Sequence, residues 1–239
     1  MVNMNQPKAD KILTEADYSG GTKQVLEESQ KIVAPYTTTV LGKEFVVLPN
    51  VFSPKYFNDT EIFAEHLPIR KGDRIFEAGP GTAAVSILAI LKGAESAVGT
   101  DINPDAVKNS RVNVEKFGLQ DKIDIREGDV YSALQPGEKF DVIFWNVPFE
   151  LSERKDISNL EKAVIDPGYV SITKFINGAA EHLTEKGRLY IGFSSTLGDY
   201  KLLEKIAKSA GYDLLTIYSE KSTEVHPVKF EIIEAIKRR

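Results

Sequence analysis

The sequence predicts an α/β fold, a doubly wound and mostly parallel sheet of seven strands that ends in a C-terminal antiparallel hairpin. From residue 74 onward, short apolar runs alternate with helical runs, and repeated units of this kind give parallel strands with right-handed crossovers. The first of these strands leads into a glycine turn at residues 79–81. The last two apolar runs, at 213–219 and 228–235, have no helix between them, so they must pair antiparallel.

The N-terminal part of the chain predicts a small extension in front of this sheet. Residues 22–34 have the amphipathic spacing of a short helix, and residues 36–48 contain two β-rich runs that predict a hairpin. A second short helix is expected at about residues 59–67. We therefore assign residues 1–70 to an N-terminal extension, or flap, and residues 71–239 to the main domain.

In the main domain, the predicted strands and helices alternate. The strands are expected at 74–78, 96–101, 122–126, 139–145 and 188–193, and the helices at 82–92, 103–117, 169–183 and 199–210. Residues 150–168 form a long, charged connection, and a loop of this length is usually functional or mobile. We expect this connection to form part of the substrate entrance.

The composition excludes several kinds of chemistry. The chain has no cysteine, which excludes disulfides, thiolate metal sites and a cysteine nucleophile. The three histidines lack the spacing of a helical zinc site, so no metal is predicted. The net charge of −5 disfavours nucleic acid as a partner. Because no apolar run approaches about 18 residues and the N-terminus is polar, we expect a cytoplasmic protein with no membrane partner.

The glycine turn predicts a nucleotide cofactor. Gly79 and Gly81 let the backbone come close to a ligand, and the helix that follows directs its N-terminal N–H groups at that ligand. With Asp101 about twenty residues further on, the turn fits a dinucleotide site. Glu77, at the end of the preceding strand, favours another cofactor. A buried carboxylate needs a cationic or hydrogen-bonding partner, and the ammonium group of S-adenosylmethionine would supply one.

From about residue 50 to its end, the chain resembles the class I S-adenosylmethionine-dependent methyltransferases. Residues 77–83, Glu-Ala-Gly-Pro-Gly-Thr-Ala, resemble the first motif of that family, E/D-x-G-x-G-x-G, with alanine in place of the last glycine. Residues 99–103 resemble the second motif, whose acid, here Asp101, takes both ribose hydroxyls. Residues 127–130 resemble the adenine-binding turn, in which Asp129 would accept from the exocyclic amine.

This resemblance implies a cofactor site at the ends of successive strands. The glycine turn and the glutamate before it would hold the methionine end, and Asp129 with Val130 would hold the adenine. The cofactor-binding residues implied in this way are Glu77, Ala78, Gly79, Gly81, Asp101, Ile102, Asp129, Val130 and Asn146.

The strand at 139–145 leads into a second informative turn. Asn146-Val147-Pro148-Phe149 resembles the N-P-P-Y/F motif of amino-methylating enzymes, which include HemK-type glutamine methyltransferases, adenine N6-methyltransferases and the methyltransferase small domain group. The resemblance implies that the Asn146 side-chain oxygen and the Val147 carbonyl accept hydrogen bonds from the acceptor NH₂ and align its nitrogen with the methyl group. Phe149 would stack on the planar acceptor. Val147 replaces the first proline, which keeps the carbonyl and loses rigidity.

A further resemblance supports the HemK-type relation. Pro54, followed by Asp59-Thr60-Glu61, resembles the entrance to the first helix in that group, and Asp166-Pro167-Gly168 lies where the group has an Asp-Gly before a helix. Three aromatic residues of the extension either frame a pocket for the acceptor or pack the extension itself: Phe52, Tyr56 and Phe57.

The sequence therefore predicts an S-adenosylmethionine-dependent N-methyltransferase that acts on an amino or amide nitrogen of a planar acceptor. The acceptor is a protein glutamine, a nucleobase or a small molecule, and the acidic net charge favours a protein side chain or a small molecule over RNA or DNA. An activating partner protein is compatible with this prediction. Two alternatives stay open: a non-catalytic partner subunit of the same fold, and an NAD-dependent oxidoreductase.

Overall fold

The computed structural model describes residues 26–56, 58–221 and 228–238. Its strands are β1 Tyr36–Val40, β2 Lys43–Val47, β3 Arg74–Ala78, β4 Ser96–Asp101, β5 Ile123–Glu127, β6 Phe140–Asn146, β7 Glu150–Ser152, β8 Ile165–Pro167, β9 Leu183–Phe193, β10 Tyr212–Lys221 and β11 Lys229–Lys237. Its helices are α1 Asp59–His66, α2 Ala84–Leu91, α3 Pro104–Lys116, α4 Val170–His182 and α5 Tyr200–Ser209. Residues 26–30 are also helical, and Glu161–Ala163 form a 3₁₀ turn.

A seven-stranded sheet forms the centre of the molecule, in the order β10-β11-β9-β6-β3-β4-β5. Strand β3 pairs in parallel with β4 on one side and with β6 on the other. Strand β11 lies antiparallel between β9 and β10. The predicted fold class, including the C-terminal antiparallel hairpin, is therefore confirmed.

The central strands are apolar on both faces, as parallel strands covered by helices on both sides must be. In β6, five of the seven residues are buried, and in β3 four of five are. Helix α3 begins where the Asn103 side chain accepts a hydrogen bond from the Asp105 N–H, with Pro104 as the first helical residue. This cap ends the turn after β4 and so positions the acid at the end of that strand.

The β1–β2 hairpin is packed on helix α3 through two buried asparagines. The Asn113 side chain accepts a hydrogen bond from the Val46 N–H at 2.8 Å and donates to the carbonyls of Val46 and Thr82, both at 2.9 Å. The Asn109 side chain accepts from the N–H of Leu48 and donates to the Val46 carbonyl. One helix face therefore holds both the hairpin and the loop that follows the glycine turn.

The predicted connection at 150–168 is more ordered than expected. Strands β7 and β8, at its two ends, pair with each other in parallel, and the 3₁₀ turn lies between them. A small apolar cluster joins this segment to the N-terminal part of the chain: Leu26, Phe52, Ile157, Leu160, Val164 and Ile165. The sequence predicted only a loop here, because strands of three residues show no readable periodicity.

Two other predicted bounds differ from the structure by several residues. The helix expected at 22–34 is helical only at 26–30 among the described residues, and its first residues lie outside them. Strand β9 begins at Leu183 rather than at residue 188, because Leu183 pairs with Phe140 before the register becomes irregular. Phe57, one of the aromatic residues considered for the acceptor pocket, also lies outside the described residues.

The asparagine contacts predict how strongly the hairpin stabilises the fold. Replacing Asn113 with alanine removes its hydrogen bonds to the Val46 N–H and the Thr82 carbonyl, while the Val46 carbonyl keeps its bond from Asn109, so we expect the free energy of unfolding to fall by about 2–4 kcal/mol. Urea unfolding followed by circular dichroism measures this change. As a control, Asn177→Ala on the exposed side of α4 should stay within about 0.5 kcal/mol of the wild type. Equal stability of the two variants would contradict the role of Asn113.

Candidate active site

The carboxyl ends of β3, β4 and β6 meet at one edge of the sheet and open into a cavity of about 440 Å³. In open α/β sheets, the crevice at this edge, where the strand order reverses, is the usual ligand site. Every predicted cofactor-binding residue lines the cavity. Of the four motif residues 146–149, Asn146 and Pro148 line it.

The glycine turn brings the backbone of residues 79–81 to the cavity wall. Gly79 has φ +58°, and a Cβ atom there would lie 2.7 Å from the Trp145 Nε1 atom. Gly81 has φ +57°, and its N–H donates to the Asp101 carboxylate at 3.2 Å. Ala83, which replaces the last glycine of the motif, also has φ +58° and is completely buried. The family glycine thus corresponds to a left-handed backbone position, at which alanine is strained by about 1–2 kcal/mol.

Glu77 is a buried carboxylate without a cationic partner among the described residues. Its side chain is 4% exposed, and the oxygen Oε2 accepts hydrogen bonds from the N–H and the hydroxyl of Ser86. Burial, with a smaller contribution from the Asp101 charge, raises the pKa of Glu77 to about 7. The carboxylate therefore fits a site for a bound cation such as an ammonium group.

Asp101 lies at the end of β4 and is held by two backbone N–H groups. Asn103 donates to Oδ1 at 2.9 Å, and Gly81 donates to Oδ2 at 3.2 Å. Burial raises the pKa of Asp101 to about 6. Each carboxylate oxygen keeps a further acceptor site, so the group can still take two hydroxyls. The next residue, Ile102, keeps 46% of its surface exposed and lines the cavity, where an apolar side chain can cover a planar ring.

The turn after β5 brings Asp129 and Val130 to the same cavity. Val130 has φ +52°, and its carbonyl accepts a hydrogen bond from the Thr100 hydroxyl. The Asp129 carboxylate is about half exposed and forms an ion pair of 2.6 Å with Lys174 of helix α4. Lys174 was not predicted from the sequence, since it lies 45 residues from Asp129 and follows no motif. The pair keeps one Asp129 oxygen occupied and leaves the other as an acceptor.

The turn after β6 presents an unpaired hydrogen-bond acceptor. The Asn146 Nδ2 group donates to the Asp59 Oδ2 atom at 2.7 Å, whereas the Asn146 Oδ1 atom is buried and has no partner among the described residues. An unpaired polar atom in a protein interior is costly and is rare without a functional reason. Because Asn146 lines the cavity, its unpaired oxygen is a candidate acceptor for a donor on a bound molecule.

Two other residues of this motif, Val147 and Phe149, have different surroundings. The Val147 N–H donates to the Gly192 carbonyl at 3.1 Å, a hydrogen bond that a proline at this position could not form. The Phe149 ring is 5% exposed and packs in the core against Phe193 and Phe230. Phe149 does not line the cavity, and its stacking on an acceptor stays a prediction.

Sequence reasoning missed Trp145 and Thr60, which line the cavity and belong to no site motif. Lys155 and Lys162 also line it, and both belong to the segment between β7 and β8 that was expected at the entrance. Of the aromatic residues considered for the acceptor pocket, Phe52 lines the cavity and Tyr56 does not. Motifs at strand ends reveal one wall of such a cavity, whereas the other wall comes from segments whose approach depends on tertiary packing.

The described residues contain no cluster of three or more histidine and acidic side chains arranged to hold a metal ion. None of the described helices has the length and hydropathy needed to cross a membrane.

Comparison with known proteins identifies the family. The sequence profile described as "Methyltransferase small domain" matches residues 42–212, which is most of the chain. The chain belongs to this family. It is an S-adenosylmethionine-dependent methyltransferase, and the predicted family is confirmed.

Three of the relatives carry more specific names. MJ0928 of Methanocaldococcus jannaschii, assigned as a protein N5-glutamine methyltransferase, is 30% identical over 169 residues, which cover 69% of this chain and 83% of the relative. The release factor glutamine methyltransferase of Aquifex aeolicus is 30% identical over 203 residues, which cover 77% of this chain and 70% of the relative. In Clostridium acetobutylicum, the protein of that name is matched over only 40% of its length.

Solved structures share the fold. SMU.776, assigned as a methyltransferase and solved as a complex with SAH, superposes with a TM-score of 0.61 at 14% identity, over 86% of this chain and 57% of that one. The ribosomal protein L11 methylase of Lactobacillus delbrueckii subsp. bulgaricus superposes with a TM-score of 0.54 at 17% identity, over 81% of this chain and 84% of that one.

The buried acids of the cavity predict a pH dependence of stability. The pKa of Glu77 is about 7 in the folded protein and about 4.3 when unfolded. Between these values, the unfolded chain releases a proton that the folded cofactor-free protein retains, so stability falls as pH rises from about 4 to about 7.

Glu77→Gln removes this pH-dependent loss of stability, because glutamine does not ionise. It keeps a side-chain oxygen that can accept the hydrogen bonds from Ser86. Urea unfolding without cofactor should show the variant up to about 3 kcal/mol more stable than wild type at pH 8. At pH 4.5 the two proteins should be nearly equal. A stability difference that does not change with pH would contradict this explanation.

Proposed function

We propose that this methyltransferase transfers the methyl group of S-adenosylmethionine to the side-chain amide nitrogen of a glutamine in a protein. The observation that carries the proposal is the buried, unpaired Asn146 Oδ1 atom at the cavity wall. An amide NH₂ group supplies the donor that this oxygen lacks. The names of two relatives, which specify protein glutamine, support the same acceptor.

The cavity fits the cofactor on chemical grounds. The buried carboxylate of Glu77 would pair with the methionine ammonium group, and the Asp101 carboxylate would accept from the ribose hydroxyls. The apolar side chains of Ile102 and Val130 would cover the adenine, whose exocyclic amine would donate to Asp129. The left-handed Gly79, where a Cβ atom would clash with Trp145, lets the backbone lie close to the ligand.

The proposed mechanism depends on positioning rather than on a covalent intermediate. When bound, S-adenosylmethionine supplies an electrophilic methyl group on a positively charged sulfur. The Asn146 Oδ1 atom and the Val147 carbonyl accept the two N–H bonds of the glutamine amide, which orients its nitrogen and increases electron density there. The new nitrogen–carbon bond forms as the carbon–sulfur bond breaks, the electron pair stays on sulfur, and the nitrogen then releases one proton.

The segment between β7 and β8 lies on the acceptor side of this cavity. Lys155, Leu160 and Lys162 from this segment line the wall together with Phe52 from the extension. We propose that these two parts form the entrance through which the glutamine side chain reaches Asn146. Neither alternative from the sequence is favoured: the family match disfavours an oxidoreductase, and the unpaired oxygen of Asn146 is unexplained in a non-catalytic subunit.

Methyl labelling with defined acceptors tests the function. Recombinant translation release factors, total RNA and a small-molecule extract are incubated separately with the protein and S-adenosylmethionine that carries a trideuterated methyl group. Tandem mass spectrometry should locate the label on a glutamine side chain of the protein acceptor. Label in RNA or small molecules, with none on protein glutamine, would contradict the proposed acceptor.

Two asparagine variants test the site in the same assay. Asn146→Ala removes the accepting oxygen, so kcat should fall by about 10²–10³-fold, and this fall should exceed any weakening of S-adenosylhomocysteine binding measured by calorimetry. The exposed Asn177→Ala serves as the matched control and should methylate at the wild-type rate. Wild-type kcat in Asn146→Ala would remove Asn146 from the mechanism.

A further inference from the structure

A side-chain amide has two different ends, and the end that faces the cavity decides what Asn146 can bind. With Oδ1 toward the cavity, the residue accepts a hydrogen bond from an NH₂ group, whereas with Nδ2 there it would repel that group. The two orientations have nearly the same shape, so packing alone does not select between them. A hydrogen-bonding partner on the other side of the amide must make the choice.

Asp59 provides such a partner from a distant part of the chain. Its Oδ2 atom lies 2.7 Å from the Asn146 Nδ2 atom, and 87 residues separate the two side chains in sequence. The other oxygen, Oδ1, accepts from the Thr60 N–H at 2.8 Å. A carboxylate only accepts, so Asp59 can satisfy the NH₂ end of Asn146 and cannot satisfy its oxygen.

Asp59 carries a carboxylate in a buried position, which costs desolvation free energy. The residue is 2% exposed, and among the described residues no cationic side chain pairs with it. Burial raises its pKa to about 6, and the groups that oppose this shift are the hydrogen bonds from Asn146 and Thr60. The hydrogen bond from the Thr60 N–H needs only one accepting oxygen, which serine or asparagine would supply at a lower desolvation cost.

We propose that Asp59 is a positioning residue, which holds the Asn146 amide with its oxygen toward the acceptor nitrogen. The inference rests on the proposed function. It gives the N-terminal extension a role in the reaction, although Asp59 itself does not contact the substrate. This role explains why the first residue of α1 is an aspartate, although Asp59 does not line the cavity.

An exchange of the two side chains tests this geometry. In Asp59→Asn, the new amide has only one oxygen for two donors, the Thr60 N–H and the Asn146 NH₂ group. The arrangement that keeps the Thr60 bond presents an NH₂ group to Asn146, which then turns its own oxygen away from the cavity. We expect kcat to fall by about 10–100-fold with unchanged S-adenosylhomocysteine binding.

The exchanged pair, Asp59→Asn with Asn146→Asp, restores one donor and one acceptor between the two positions. Its second carboxylate oxygen then faces the acceptor, so we expect kcat at least about tenfold above either single variant. Asp73→Asn is the matched control, because Asp73 is also buried and pairs with Arg188 at 2.6 Å. It lies before β3, at the opposite edge of the sheet, and should lose stability and keep its kcat.

A spectroscopic measurement makes the test independent of the acceptor. In ¹⁵N-labelled wild-type protein, the Asn146 side-chain NH₂ signals should exchange slowly with water, and Asp59→Asn should speed this exchange and shift the signals. Asp73→Asn should leave them unchanged. Wild-type kcat together with unchanged Asn146 signals in Asp59→Asn overturns the inference, even if the exchanged pair fails to fold.

The variants also separate this inference from the proposed function. Wild-type methylation by Asn146→Ala would remove the proposed role of Asn146 itself. An inactive Asn146→Ala combined with a fully active Asp59→Asn would leave the proposed function in place and overturn only the role of Asp59.

Discussion

The parallel pairing of β3 with β4 and β6 is the constraint on which the site depends. It places Ala78 opposite Thr100 on one side and opposite Trp145 on the other, so the three strands end at the same edge. Single backbone hydrogen bonds then join each loop to the end of a neighbouring strand. They run from the N–H of Gly79 to the Thr100 carbonyl, from Gly128 to Asp101, and from Val147 to Gly192. Carboxylates and an amide from distant parts of the chain therefore converge within one rigid frame.

The two departures from the family motifs have different physical consequences. Val147 lacks the restricted φ of proline, but its N–H forms the bond to Gly192, which anchors the turn in another way. Ala83 keeps the left-handed backbone that glycine would adopt freely, and its methyl group is buried in the core. Neither substitution changes the hydrogen-bonding groups that face the cavity.

The residues proposed for the cofactor could be named from the sequence because they lie at strand ends next to a glycine turn. The resemblance of these stretches to known motifs implied the roles of Glu77 and Asp101 before their contacts were known. The bond between Asp59 and Asn146 could not be derived in this way, since it depends on how α1 packs against the end of β6. The packing of the Phe149 ring on Phe193 and Phe230 could not be derived from the sequence either, because those rings lie on strands distant in the chain.

The acceptor side illustrates a second limit of sequence reasoning. Strands β7 and β8 are only three residues long, and each is defined by its pairing with the other rather than by its own composition. The segment between them packs on Leu26 and Phe52, which precede it by more than a hundred residues. Such contacts close one wall of the cavity and leave little periodic signal in the chain.

In the proposed reaction, the Asn146 oxygen orients the nitrogen that receives the methyl group. A crystal structure of the protein with S-adenosylhomocysteine and a glutamine peptide that it methylates would show this contact. We expect the glutamine amide nitrogen at about 2.9 Å from the Asn146 Oδ1 atom, with Asn146 Nδ2 still bonded to Asp59. A glutamine amide bound elsewhere in the cavity, or one that faces Asn146 Nδ2, would rule out this role of Asn146.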